Sequence, residues 1–563
     1  MHARGSSPVV RALLCAALAA SGCSVPGRFL RGYAEADATG MESLGGTGAY
    51  AHAPAEVRGQ VRFVFDDFGS LTTDVLDTYA LPWKVVGAAL VLEQARSAGA
   101  PVSTATLEAV LRRFGFLTPR RIANWEGPQP RLERPLGVVA GVARRGLPAV
   151  ELEIANVGCA ACHAGPLYGA DGQVTADAWL GLPNSSLDLS GYADHALAAL
   201  QKGLSEPDTL LAIMDALFPI MGSRERSTIR KHVLPDARAA LEARQATLGG
   251  LLPFENGGPG LMNGVGSLRF LLGLSHEDAR PLERAWASPP DLTGTTLRRT
   301  LLSDGAYAPP GSSRYGPLTR EERSPGHIRE LAGIASLFLV GTQGVEPEVA
   351  RRAIPSVEEV LEFADRLQPP PFPGPIDSTL ASAGRAVYER DCAVCHGVYA
   401  REGRRERLVL HPNRLTAQDR MGTDPVRWQA ADSLALATVE ASGYDRYLDA
   451  LNDGGYVAPD LAGLWATAPY LHNGSVPTLW HLLHAAQRPR RFWVGGHALD
   501  LERVGIRGEV DARGDYGYPA DYVPWSQPFL YDTREPGRGN QGHEFRTLTD
   551  EERHALLEYL KLL

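Results

Sequence analysis

Two pentapeptides of the same form, Cys159-Ala160-Ala161-Cys162-His163 and Cys392-Ala393-Val394-Cys395-His396, constrain this chain more than any other feature. On a helix the thiols at i and i+3 share a face, and the histidine at i+4 follows on it. Thiols so placed can form thioethers with the two vinyl groups of a porphyrin while the imidazole turns to its iron, the attachment geometry of c-type haem. With 6 cysteines and 15 histidines in 563 residues, composition alone yields such a unit on the order of 10⁻³ times per chain. Two exclude coincidence. A zinc ion held by both cysteine pairs would have to join segments more than two hundred residues apart and would leave both histidines idle. A thioredoxin-like dithiol gives the histidine no role. The sequence therefore predicts two covalently bound haem c groups, on Cys159 and Cys162 and on Cys392 and Cys395, with His163 and His396 as iron ligands.

The remaining cysteines, Cys15 and Cys23, lie at the N-terminus. Arg4 and Arg11 flank the start of an apolar stretch, Ala12 to Ala20, that is too short to span a bilayer and reads as a secretory signal. Ser21-Gly22-Cys23 resembles a bacterial lipobox, so Cys23 is the expected lipidation site, with plain secretion as the alternative. Ser24 favours the outer membrane, facing the periplasm, with membrane contact only through the lipid. Export agrees with haem attachment, which normally takes place outside the cytoplasm. A net charge of -9 without a basic patch excludes a nucleic-acid partner.

The fold class expected is mainly α: two cytochrome c-like haem domains with long irregular loops and an inserted region. Apolar residues recur at helical spacing over 85–95, 104–116, 193–202, 208–217, 234–248, 333–340 and 357–367. The divisions read as a signal peptide (1–22), a tether (23–60), an N-terminal helical extension (61–150), a first haem domain with an insertion (151–368), a proline-rich linker (369–377) and a C-terminal cytochrome c domain (378–563). In the last of these, a helix from Ser378 carries Gly384 and Tyr388 into Cys392, and a final helix starts at a capping Thr549 with an acidic first turn. A glycine-bearing first helix crossing an aromatic-bearing last one is how small c-type cytochromes close around haem. Gly257 to Gly260 lacks the strand-then-helix frame of a phosphate loop.

The two pentapeptides, with Gly455-Tyr456-Val457-Ala458-Pro459, Leu464 to Leu479 and Met421-Gly422-Thr423-Asp424-Pro425, resemble the bacterial di-haem cytochrome c peroxidases, their MauG-type relatives and the rubber oxygenases. Gly542-His543-Glu544 and Leu180 to Asn184 are similar to the rubber-oxygenase branch. The resemblance implies one electron-transfer haem with two protein ligands and one haem where peroxide or dioxygen reacts. In the peroxidases a downstream methionine completes the second site, but no methionine follows Met421 here. His543 is the expected second ligand opposite His396, with His472 its rival, His484 a further one, and Glu544 able to support it. Two histidine ligands imply a low potential. For the first site His195 could lie opposite His163, the general acid is unassigned, and Trp125, Trp179, Trp286 and Trp465 are all candidates to bridge the haems. The function this resemblance implies first is periplasmic peroxide reduction, with a small redox protein donating electrons through the second haem to the first. The alternatives are a rubber-oxygenase-like attack on a hydrophobic alkene or polymer, and electron carriage without catalysis.

Overall fold

Glycine sets the closest helix contacts. The computed structural model describes residues 52–71, 81–145, 150–248, 252, 255–274, 283–403 and 405–563. Helix Ser378–Asp391, capped by Asp377, crosses the terminal helix Asp550–Leu560, which is capped by a reciprocal Thr549–Glu552 box. At the crossing a Cβ on Gly384 would stand 1.9 Å from the carbonyl oxygen of Ala555, so only glycine lets the backbones meet. One turn on, Tyr388 packs on Tyr559 with ring centres 5.3 Å apart.

The same crossing occurs a second time. Helix Ala55–Phe65 crosses Ile354–Arg366, a Cβ on Gly59 would stand 1.8 Å from the carbonyl oxygen of Glu359, and Phe63 packs on Phe363 at 5.6 Å. An aromatic ring stands four residues after the glycine in both first helices. The helix Ala55–Phe65 therefore starts inside the segment expected to be a tether and contributes Val61, Phe63, Val64 and Phe65 to the first core. Residues 1–51, with the expected signal and Cys23, lie outside the described residues.

The two units diverge after the first helix. In the second, Cys392 continues directly from Asp391. In the first, Asp66 to Ser70 stand in that place, and the attachment helix Cys159–Cys162 arrives from a different direction. It hangs between two small sheets. The strand Val150–Val157, paired antiparallel with Val138–Arg145, leads into it, and the strand Ala164–Tyr168, paired with Val174–Leu180, leaves it. Gly137, at φ 82°, runs so close under the helix that a Cβ there would lie 1.9 Å from the Ala161 nitrogen.

These strands correct the expectation of a mainly α protein. Among the described residues there are seven sheets of two to four strands, so the architecture is mixed α and β. The segments that flank Cys159–Cys162 satisfy their backbone groups by pairing with one another. The region expected as a helical extension holds the helices Trp83–Ala98 and Thr104–Arg113 and then the hairpin. Those helices bury Val85, Leu90 and Leu111 against Leu200, Leu211 and Leu241 of Leu189–Ser205, Pro207–Leu217 and Leu234–Leu248. The proline-rich segment is packed rather than free, since Phe372 stands edge-on to Trp465, whose Nε1–H donates to the Pro370 carbonyl. None of the described helices is long and apolar enough to cross a membrane.

Candidate functional site

Each pentapeptide histidine donates Nδ1–H to the carbonyl of a proline: His163 to Pro290 at 3.1 Å and His396 to Pro459 at 2.7 Å. A carbonyl on Nδ1 fixes the tautomer that leaves Nε2 as a bare lone pair, as a metal ligand requires. Burial lowers the His163 pKa to about 4 and moves His396 the same way, each opposed by its proline carbonyl, so both rings are neutral. Burial also pushes the thiols of Cys159, Cys162 and Cys392 up to about 12, unlike the acidic thiols of dithiol redox centres. No cluster of three or more His, Cys, Asp or Glu suited to a metal ion occurs among the described residues, which removes the shared zinc site.

The two prolines lie in a repeated loop that pattern reading missed. Pro290-Asp291-Leu292-Thr293-Gly294 recurs as Pro459-Asp460-Leu461-Ala462-Gly463, and Leu302-Ser303-Asp304-Gly305 as Leu471-His472-Asn473-Gly474. The backbone repeats too. Gly294 and Gly463 have φ of 79° and 69°, Leu302 and Leu471 of 71° and 67°, and both loops pass through a 3₁₀ turn, Thr295–Leu297 and Leu464–Ala466. The signal in the sequence was the doubled Pro-Asp-Leu-x-Gly; nothing in its composition marks the proline carbonyl as an acceptor.

Opposite His396 the structure brings His543. Their ring centres are 6.0 Å apart with planes at 82°. Two imidazoles on either side of one ion, each with a metal–nitrogen bond of about 2 Å and its nitrogen about 1 Å from the ring centre, give about 6 Å. The residues present therefore fit haem c at this site. His543 is held by its backbone: φ is 48°, and its N–H donates to the Met421 carbonyl at 3.0 Å. Arg488 clamps the same loop through the carbonyls of Asn540 (2.5 Å), Gly542 (2.8 Å) and His543 (3.1 Å), and reaches those of His481 and Leu482. Burial, with the positive charge of Arg488, lowers the His543 pKa to about 3. Its Nδ1 is enclosed without a hydrogen-bond partner.

The other candidates go elsewhere. His472 stacks on Tyr456 at 4.6 Å, with Nε2 3.3 Å from the tyrosine oxygen, and its carbonyl accepts from Ser288. His484 stacks on Trp480 at 4.4 Å. Glu544 accepts from Arg546, not from His543. Met421 acts through its carbonyl. Trp125, Trp179, Trp286 and Trp465 each donate Nε1–H to a backbone carbonyl, those of Pro128, Gln368, Glu255 and Pro370. At the first site the Cys162 sulfur lies 3.5 Å from that of Met262. Among the described residues no ring stands against His163 as His543 does against His396. His195 packs on Phe114 at 5.3 Å and lines a cleft of about 460 Å³ with Arg113, Asp188, Asn256 and Phe529.

Residues 455–494, which span the Pro459 loop and His472, match the family model described as RoxA-like, cytochrome c-like. A cytochrome c-like domain is thus indicated within the C-terminal unit. Such a domain implies a c-type cytochrome that binds haem c, and it supports the rubber-oxygenase-like branch of the resemblance. Two uncharacterized proteins of Sinorhizobium fredii (strain NBRC 101917 / NGR234) are similar to parts of this chain. Protein y4iM is 32% identical over 219 residues, covering 34% of this chain and 47% of its own length. Protein y4iJ is 30% identical over 263 residues, covering 35% and 41% respectively. The chain thus spans less than half the length of either relative.

Proposed function

We propose that this protein is an exported di-haem c-type oxidoreductase of the rubber-oxygenase kind, lipid-anchored at Cys23, that acts on a hydrophobic alkene or polymer with dioxygen. The observation that carries the reading is the opposition of His396 and His543 at 6.0 Å. Haem c at these sites supplies one-electron and dioxygen chemistry. Cys392 and Cys395 would anchor the second group, and His396 and His543 would hold it from its two sides. So held, it would serve as an electron relay rather than a substrate site. Histidine in place of a methionine ligand gives it a low potential, which suits a reductant.

At the first site Cys159, Cys162 and His163 offer the same anchors, and Pro290 orients the histidine, but among the described residues His163 has no counterpart of His543. In this reading the first site is where dioxygen and the substrate would meet. The RoxA-like match at residues 455–494 supports an oxygenase over a peroxidase.

The test uses full-length protein matured in a periplasm competent for haem attachment. The expected results are two porphyrin adducts by mass, one low-spin and one ligand-binding iron by EPR, and oxygen uptake with polyisoprene. Two low-spin irons that bind no ligand would leave an electron carrier. Peroxide turnover with a reduced small cytochrome, and no oxygen uptake, would make the protein a peroxidase.

A further inference from the structure

The two proline loops that orient His163 and His396 exchange side chains. Asp291 follows Pro290, and its Oδ1 accepts from the Thr293 amide of its own loop at 2.6 Å. Asp460 follows Pro459, and its Oδ1 accepts from the Ala462 amide of its own loop at 3.2 Å. The second oxygen of each carboxylate crosses to the other loop. Asp291 Oδ2 lies 3.1 Å from where a Cβ on Gly463 would stand, and Asp460 Oδ2 lies 3.0 Å from the matching point on Gly294. Both glycines are in the left-handed region, at φ 69° and 79°, and both carry the turn that comes after their proline. Asp291 Oδ2 is enclosed with no hydrogen-bond partner, so it is held there by packing.

We infer that Asp291 and Asp460 are positioning residues for the opposite haem site: each locks the loop whose proline carbonyl aims the other unit's histidine. The inference rests on the reading that His163 and His396 each hold a haem iron. The physical route is short. A carboxylate against Gly463 fixes the turn begun at Pro459; the Pro459 carbonyl fixes the His396 Nδ1–H; and that hydrogen bond sets the basicity of the ligating nitrogen, hence the potential of its iron. The reverse route runs from Asp460 through Gly294 and Pro290 to His163. The pair makes the two sites mechanically interdependent, so a change in one loop is felt at both irons.

The experiment compares wild-type haem-loaded protein with Asp291→Asn and Asp460→Asn, reading the midpoint of each haem by spectroelectrochemistry with EPR to tell them apart. Asparagine keeps the shape but replaces the carboxyl oxygen that faces glycine with an amide group. Asp291→Asn is expected to change the reduction equilibrium of the His396 haem by about tenfold, 59 mV for one electron. Asp460→Asn is expected to do the same at the His163 haem. Gly463→Ala, which crowds Asp291, should shift the His163 haem as well as its own; if that strained variant fails to fold, the asparagine pair decides the matter. Effects confined to the haem of the substituted loop would overturn the interlock while leaving the functional reading standing. A wild-type protein without haem would sink both.

Discussion

The imidazole of His543 faces that of His396 across 6.0 Å, although the two residues come from opposite ends of the C-terminal unit. Replacing His543 with alanine should turn the His396 haem from low-spin to high-spin and let carbon monoxide bind its ferrous form. The first haem should keep its spectrum. His543→Met should stay six-coordinate and raise the potential, because methionine ligation raises it in small cytochromes. An unaltered low-spin EPR signal in His543→Ala would show that another group completes the site.

Arg488 binds five carbonyls, three of them in the His543 loop, and burial lowers the pKa of its guanidinium, so its bonds rather than its charge alone keep it there. Arg488→Ala should cost on the order of 3 kcal/mol of stability and give a fraction of high-spin iron that grows with temperature. Arg488→Lys should rescue little, since a single ammonium lacks the planar fork that spans those acceptors. Thermal melts and variable-temperature optical spectra measure both effects. A low-spin site that tolerates the alanine would mean that the Met421 carbonyl suffices.

Gly59 and Gly384 sit at equivalent helix crossings, each with a carbonyl under 2 Å from a would-be Cβ. Alanine at either position should destabilise its unit by about 1–3 kcal/mol, the usual cost of overpacking. Gly222→Ala, where nothing lies within 4 Å of the added carbon, should be neutral. If Gly59→Ala matched that control in calorimetry, the first crossing would not be a fixed contact.

His481 is buried, shares a 2.7 Å hydrogen bond with the Thr478 hydroxyl, and has its pKa lowered to about 3 by burial and by Arg503, His484 and Arg488. Its usual value is about 6.5. The unfolded chain therefore binds a proton that the folded one rejects between these values, so its contribution is present above pH 6.5 and is lost as pH falls toward 3. Against His481→Gln, the wild type should lose at most about 1.4 kcal/mol per pH unit in that window. Denaturant titrations at pH 7, 6 and 5 measure the gap; a gap that does not change would mean that the ring is solvated.

The second unit was legible because its parts are neighbours in sequence. Gly384, Tyr388 and Cys392 lie on one continuous run, and the capping box at Thr549 marks its partner helix. The first unit was not, since two helices and a β-hairpin separate the helix Ala55–Phe65 from Cys159. Without a pentapeptide after it, that helix was divided between the expected tether, which ended at residue 60, and the helical extension. The packing of the proline-rich run was not legible for a similar reason, as composition cannot register Trp465 receiving Phe372.

By itself the sequence pointed to where haem would be anchored, because thioether and imidazole attachment needs residues at i, i+3 and i+4, a relation one helical turn contains. Tertiary structure decided what surrounds each anchor. It chose His543 over His472 to face His396, set the carbonyls of Pro290 and Pro459 on the histidines, and brought Asp291 against Gly463. Those relations join segments distant along the chain, and no local periodicity encodes which loops will meet.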